Sequence, residues 1–266
     1  MSNHQTLPEI LIITTYPPKE CGIATYTQDL IFAIKNKFQN SFKISICALK
    51  SNGIELPYSD DVKYILHTDD QTSYLKLADD INKNDQIKMV LIQHEFGLYE
   101  NNESHLLELL TTINVPKILG FHTVLPKPDE VFKNNVQKLT AAADSLIVMT
   151  KASSKILVSD YGILEEKITV IPHGTHLVPH ANKAKLKVKY DVENKKVLST
   201  FGFLGAGKSI ETTLDAMPAI IQENENVIFL IIGKTHPSVL KRDGEKYREF
   251  LVKRVHELGI TEHVKF

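Results

Sequence analysis

Short apolar runs alternate along this chain with longer amphipathic stretches, the pattern of a parallel sheet covered by helices. Glu9–Thr14 (EILIIT) reads as the first strand and Gly22–Lys37 as the helix after it. Lys43–Ala48 and Val62–Leu66 read as further strands, with a helix over Tyr74–Ile81. Lys88–Gln93, Lys117–Phe121 and Ser145–Met149 continue the series as buried strands with helices between them. After Val170–Pro172 the sequence turns polar and basic from Pro179 to Lys189, which marks a linker. The pattern then restarts: strands over Lys196–Gly202 and Val227–Gly233, helices over Ile210–Gln222 and Glu245–Leu258, and a strand opening at His263–Phe266. The expected organisation is therefore α/β, with a first lobe over residues 1–178 and, over 179–266, a linker and the first part of a second lobe. A doubly wound lobe needs more strands than this second part supplies.

Composition narrows the picture without redirecting it. At 266 residues, two lobes are the default. With 42% hydrophobic and 24% charged residues there is material for real cores, which sets disorder aside. A formal net charge of -1 leaves no global field for nucleic acid or an anionic membrane, so any anion site is local. Cys21 and Cys47 are the only cysteines, which suits a reducing, cytoplasmic setting and excludes a disulfide-dense scaffold or a four-cysteine zinc site. Met1 to Glu9 is polar and does not read as a secretory signal. No apolar run approaches the roughly 20 residues of a membrane span, although peripheral membrane contact stays open.

Four segments carry candidate chemistry. In the turn Tyr16-Pro17-Pro18-Lys19-Glu20-Cys21-Gly22, two prolines hold the chain out of helix and Gly22 lets backbone approach a ligand where a helix begins. An ordinary strand-to-helix loop would look the same. His94 and Glu95, in Gln93-His94-Glu95-Phe96-Gly97, and His122, in Gly120-Phe121-His122-Thr123, stand at carboxyl ends of expected strands, the edge at which open parallel sheets bind ligands. Taken singly, each histidine reads equally as a structural residue. His173 and His176 lack the spacing of a metal cluster, so no metal is expected. Gly202-Phe203-Leu204-Gly205-Ala206-Gly207-Lys208-Ser209 fits the G-x-x-x-x-G-K-[ST] phosphate-loop pattern between strand and helix. Alone it points to a magnesium-dependent ATP- or GTP-binding protein, but the later strand ends in Gly233-Lys234 where such a protein places a magnesium-holding Asp.

Taken in order, these segments resemble GT-B-fold retaining glycosyltransferases of the glycosyltransferase family 4 type, which includes sucrose synthase-like and mannosyltransferase-like enzymes. Thr15-Tyr16-Pro17-Pro18 with Gly22-Ile23-Ala24 is similar to the family's opening loop, and Gly120-Phe121-His122-Thr123 to its strand-end histidine motif. Val170-Ile171-Pro172-His173-Gly174 resembles the V-I-P-N-G segment before the linker, and Phe201-Gly202 with Lys208 the start of the second lobe. The family commonly carries an Arg where Phe203 stands, and its acidic donor-gripping motif lies downstream of the position of Phe266. The expected fold is two Rossmann-like lobes with parallel sheets, the second incomplete.

The resemblance implies transfer of a sugar from a nucleoside diphosphate sugar to a hydroxyl acceptor, carbohydrate or lipid-linked, with retention at the anomeric carbon and no cofactor or metal. His122 is implied beside the donor sugar. The donor diphosphate falls to Gly22, Gly205, Gly207, Lys208 and Ser209, and His94 and Glu95 are candidates for acceptor or sugar binding. Without the downstream motif the chain ending at Phe266 is expected to need that donor grip from elsewhere. Two other readings stand beside this one: the phosphate-loop protein, and a non-catalytic nucleotide- or sugar-binding module. Nucleic acid is not an expected partner.

Overall fold

The computed structural model describes residues 7–51, 56–99, 102–175 and 178–266. Residues 1–6, part of the Met1–Glu9 stretch that does not read as a secretory signal, and His176 lie outside the described residues. The chain forms two compact units, Met1–Thr175 and His176–Phe266.

The first unit runs β1 (Glu9–Thr14), α1 (Gly22–Phe38), β2 (Lys43–Lys50), β3 (Val62–His67), α2 (Gln71–Lys83), β4 (Ile87–His94), α3 (Glu103–Thr112), β5 (Lys117–Phe121), α4 (Glu130–Ala142), β6 (Ser145–Val148), α5 (Lys151–Ser159) and β7 (Ile168–Val170). Its seven strands are all parallel, in the order β3-β2-β1-β4-β5-β6-β7. Alternation within β1 shows why the central strands are apolar throughout. Leu11 and Ile13 join the core that α2, α3 and α4 cover, whereas Ile12 joins the core under α1, and all three are fully buried. Helix α2 buries Tyr74, Leu77, Ala78 and Ile81, the spacing of one helical face, and begins at Gln71, ahead of the expected Tyr74, because Asp70 caps it by accepting from Thr72 N. At the amino edge of the sheet the buried Glu9 accepts from Ser45 Oγ at 2.5 Å and Lys63 Nζ at 2.9 Å, so its charge is compensated far from the carboxyl edge.

The second unit runs α6 (Lys183–Lys189), β8 (Lys196–Phe201), α7 (Ile210–Glu223), β9 (Val227–Ile232), α8 (Pro237–Asp243), α9 (Lys246–Glu257) and β10 (Val264–Lys265). Its three parallel strands lie in the order β10-β9-β8, over a core that includes Leu214, Met217, Phe229, Ile231, Leu251 and Val255. Three elements differ from the expectation. The polar stretch taken as linker contains α6, whose Ala, Leu and Lys residues favour helix and whose Asn182 caps it by accepting from Lys185 N. Helix α8 was not anticipated. The last strand opens at Val264 rather than His263, which closes a 3-10 turn.

Candidate functional site

The strand order of the first unit reverses between β1 and β4, and in parallel sheets the crevice at the carboxyl ends beside such a reversal is where ligands bind. Strand β1 leads there into Thr14 and Thr15, both fully buried, and then into the turn in which Lys19 N donates to Tyr16 O. Helix α1 begins at Gly22 with no acidic residue in its first turn and with Lys35 and Lys37 in its last, as the helix dipole favours. A Cβ built on Gly22 meets nothing within 4 Å, and no positive φ demands glycine there. Neither packing nor backbone conformation among the described residues accounts for this glycine, and its surface is open.

One turn further, Tyr26 sets its ring edge-on against two imidazoles, His122 at 4.9 Å and His173 at 5.0 Å between centroids. The two histidines are themselves 5.9 Å apart. His122 follows β5 directly; its backbone N–H is donated to His94 O at 2.9 Å, and its Nε2 lies 2.7 Å from Gln93 Oε1. Burial, and then the nearby His173, push the His122 pKa down to about 4, so the ring is neutral at pH 7. The cluster is therefore a carboxyl-edge site with a neutral imidazole beside the amino end of a helix.

The remaining candidates of this unit divide. His94 is fully buried among Phe96, Tyr99 and Phe121, with neither ring nitrogen hydrogen-bonded, and burial lowers its pKa to about 3. Its position is that of a core side chain. Glu95 is half-buried; its carboxylate accepts from Phe96 N at 3.1 Å and Thr123 Oγ1 at 2.6 Å, capping the turn Phe96–Leu98. Tyr26, Gln93 and His173 were not chosen from the sequence. Tyr26 had a signal, because helical spacing sets it one turn above Gly22.

In the second unit Gly205, Gly207, Lys208 and Ser209 fall together in the loop after β8. Ala206–Lys208 forms a 3-10 turn in which Lys208 N donates to Gly205 O at 2.9 Å and Ser209 N to Ala206 O at 3.1 Å. Ser209 sits in the left-handed region at φ 48°, and a Cβ on Gly207 meets nothing within 4 Å. The Ile210 N–H that opens α7 is donated to Tyr247 Oη at 3.1 Å, and that hydroxyl donates to Glu211 at 2.5 Å. Three amides that a nucleotide-hydrolase phosphate loop would aim at its ligand are thus satisfied inside the chain. Lys208 itself is exposed. Behind the loop, Gly233 at φ 154° ends β9 so close to Gly202 that a Cβ would lie 1.9 Å from the Gly202 carbonyl oxygen.

Among the described residues no three His, Cys, Asp or Glu side chains converge to hold a metal ion, and no helix is long and apolar enough to cross a membrane. No protein-family model matches this sequence, and no curated protein does. Solved structures do. HepE from Anabaena in complex with UDP superposes with a TM-score of 0.68 at 14% identity, covering 98% of this chain and 68% of that one. A glycosyltransferase from Rickettsia africae gives 0.67 at 15% identity, over 97% and 67%. The E. coli trehalose-6-phosphate protein bound with UDP-2-fluoro glucose gives 0.64 at 11% identity, over 94% and 70%. At these identities the likeness establishes architecture, and the architecture is GT-B: Rossmann-like α/β units with parallel sheets, seven strands in the first and three in the second.

Proposed function

We propose that this protein is a retaining glycosyltransferase that moves a hexosyl group from a uridine diphosphate sugar to a hydroxyl acceptor, carbohydrate or lipid-linked. The observation that carries the reading is the strand-end cluster: a neutral His122, packed on Tyr26 of the helix that opens at Gly22, at the order reversal of a GT-B sheet. The solved neighbours that hold UDP or UDP-glucose point to the donor.

The chemical difficulty is departure of the diphosphate as negative charge builds on it. Lys208 supplies fixed positive charge to those oxygens, Gly205 and Gly207 allow the backbone to come close, and Ser209 offers its hydroxyl as a donor. Gly22 does the same at the α1 amino end, where the helix dipole favours an anion. His122 sits beside the donor sugar and orients it through its ring or its backbone carbonyl. Residues 1–178 serve the acceptor and 179–266 the nucleotide. Glu95, half-buried at the same edge, is placed to meet an acceptor if Thr123 releases it. The reading needs no metal, since lysine and helix dipole carry the charge, and a cytoplasmic setting suits the two free cysteines.

The phosphate-loop reading loses support from the amides already bonded, two within the loop and one to Tyr247 of α9. Thermal unfolding with UDP, UDP-glucose, GDP, ATP and GTP, with and without magnesium, separates the readings. The expected result is a rise with UDP or UDP-glucose that chelator leaves unchanged. A rise confined to magnesium triphosphates would overturn the proposal, and binding without UDP release from UDP-glucose would favour a non-catalytic module. Lys208→Ala should weaken UDP binding about 10- to 100-fold while uridine binding stays within about threefold; equal losses for both would remove the diphosphate role.

A further inference from the structure

We propose that Gln93 is a positioning residue that fixes the tautomer and ring orientation of His122, its side-chain oxygen accepting from Nε2–H and leaving Nδ1 as the ring's acceptor. The step from this tautomer to turnover rests on the glycosyltransferase reading; the tautomer itself does not.

Gln93 is 1% exposed, and its Oε1 lies 2.7 Å from His122 Nε2. In the β4–β5 register its partner is Gly120, and a Cβ on Gly120 would stand 3.1 Å from Gln93 Oε1 and 3.8 Å from Cδ. Gly120 has no positive φ, so the Gln93 amide lying across it is what favours a glycine in Gly-Phe-His-Thr. The Gln93 carbonyl accepts from Tyr99 Oη at 3.0 Å and the His122 N–H is donated to His94 O at 2.9 Å, so both backbones are tied. Tyr26 and His173 confine the imidazole by ring contact. The titratable groups around His122 are thus His94, His173 and Tyr26; the Glu95 carboxylate is engaged by Thr123 and Phe96. An amide oxygen selects one tautomer of a neutral ring, where a carboxylate at the same place would favour imidazolium.

Long-range imidazole 15N spectra of the whole chain test this. The wild type should show His122 as the Nε2–H tautomer, unchanged between about pH 8 and 5.5. Gln93→Leu and Gly120→Ala should both give mixed tautomers, and Gln93→Glu should raise the pH of ring protonation by about one unit or more. A wild-type Nδ1–H form, or an unaltered single tautomer in Gln93→Leu, would overturn the assignment. In UDP-glucose turnover, Gln93→Leu should lower kcat about 10- to 100-fold with KM for donor moved less than about threefold. If the spectra behave as stated and the wild type releases no UDP from UDP-glucose, the Gln93 assignment stands and the glycosyltransferase reading fails.

Discussion

The two sheets present their carboxyl ends in different ways. In the seven-strand sheet, β1, β4 and β5 are interior strands, and the residues they deliver to the edge are locked from behind: Gln93 is 1% exposed and His94 not at all. In the three-strand sheet, β8 is an edge strand whose last residue, Phe201, is 85% exposed. Its loop is held by its own 3-10 turn and by Tyr247 reaching over from α9. The first site is tuned by burial, which sets protonation; the second by backbone geometry, which sets where a flexible lysine starts. Damage should accordingly show as altered proton chemistry in one unit and as lost loop geometry in the other.

Gly233→Ala should have the largest effect. The φ of 154° is unsuited to a side chain, and the new methyl would meet the Gly202 carbonyl at 1.9 Å, so a loss of at least about 3 kcal/mol is expected from conformation and overlap together. Urea unfolding, with hydrogen exchange in β8 and β9, measures it. Gly120→Ala is the matched change in the other sheet. It meets a side-chain oxygen at 3.1 Å that can move away, and should cost about 1 kcal/mol. Equal costs would break the contrast between backbone-built and side-chain-built edges.

Next in size is an acid effect centred on His94. Its pKa falls from 6.5 to about 3 on burial, so above pH 6.5 neither folded nor unfolded chain holds the extra proton. Below 6.5 the unfolded chain takes it up and the folded chain does not, so stability is lost as pH falls, by about 1.4 kcal/mol per pH unit for one such group. At pH 5 this amounts to about 2 kcal/mol. His94→Phe removes this group's share of the slope, leaving a like share from His122, and also removes two unbonded ring nitrogens from an aromatic surround, so it should stabilise at pH 7 by about 1 kcal/mol and by more at pH 5. Unfolding at both pH values checks it; an unchanged slope would mean that the ring is solvated in the folded protein.

Much of the fold was legible because parallel strands buried on both faces leave unbroken apolar runs. Glu9–Thr14 and Lys117–Phe121 coincide with the structure to the residue. What the pattern could not show was structure without a buried face. Helix α6 has no buried residue, so its lysine-rich sequence carries capping and propensity but little periodicity. The candidate site was legible as a set of strand ends, while the choice of His122 among them came from the resemblance and Gly22 from its place at a helix start. Which of two similar strand-end histidines faces the edge was not, because only folding opposes His94 to Phe121 inside an aromatic shell and sets His122, one residue further on, against Gln93 and Tyr26. Gln93 was hidden for a related reason: its role depends on a missing side chain one strand away, at Gly120.

The most local effect should come from Tyr247, a side chain that braces the Lys208 loop from α9. Burial and its bond to Glu211 raise its pKa to about 12, so the hydroxyl stays protonated and goes on donating to Glu211 while accepting from Ile210 N. Tyr247→Phe deletes both bonds and leaves the buried first residue of α7 with an unpaired N–H, at a cost of about 1 kcal/mol. Because α7 still packs through Leu214 and Met217, the loss should stay local. Amide exchange should quicken at Ile210 while β9 keeps its protection. Exchange that quickens equally in β9 would show that the loop and the sheet beneath it open as one body, and the second unit would then resemble the first in being set by its core.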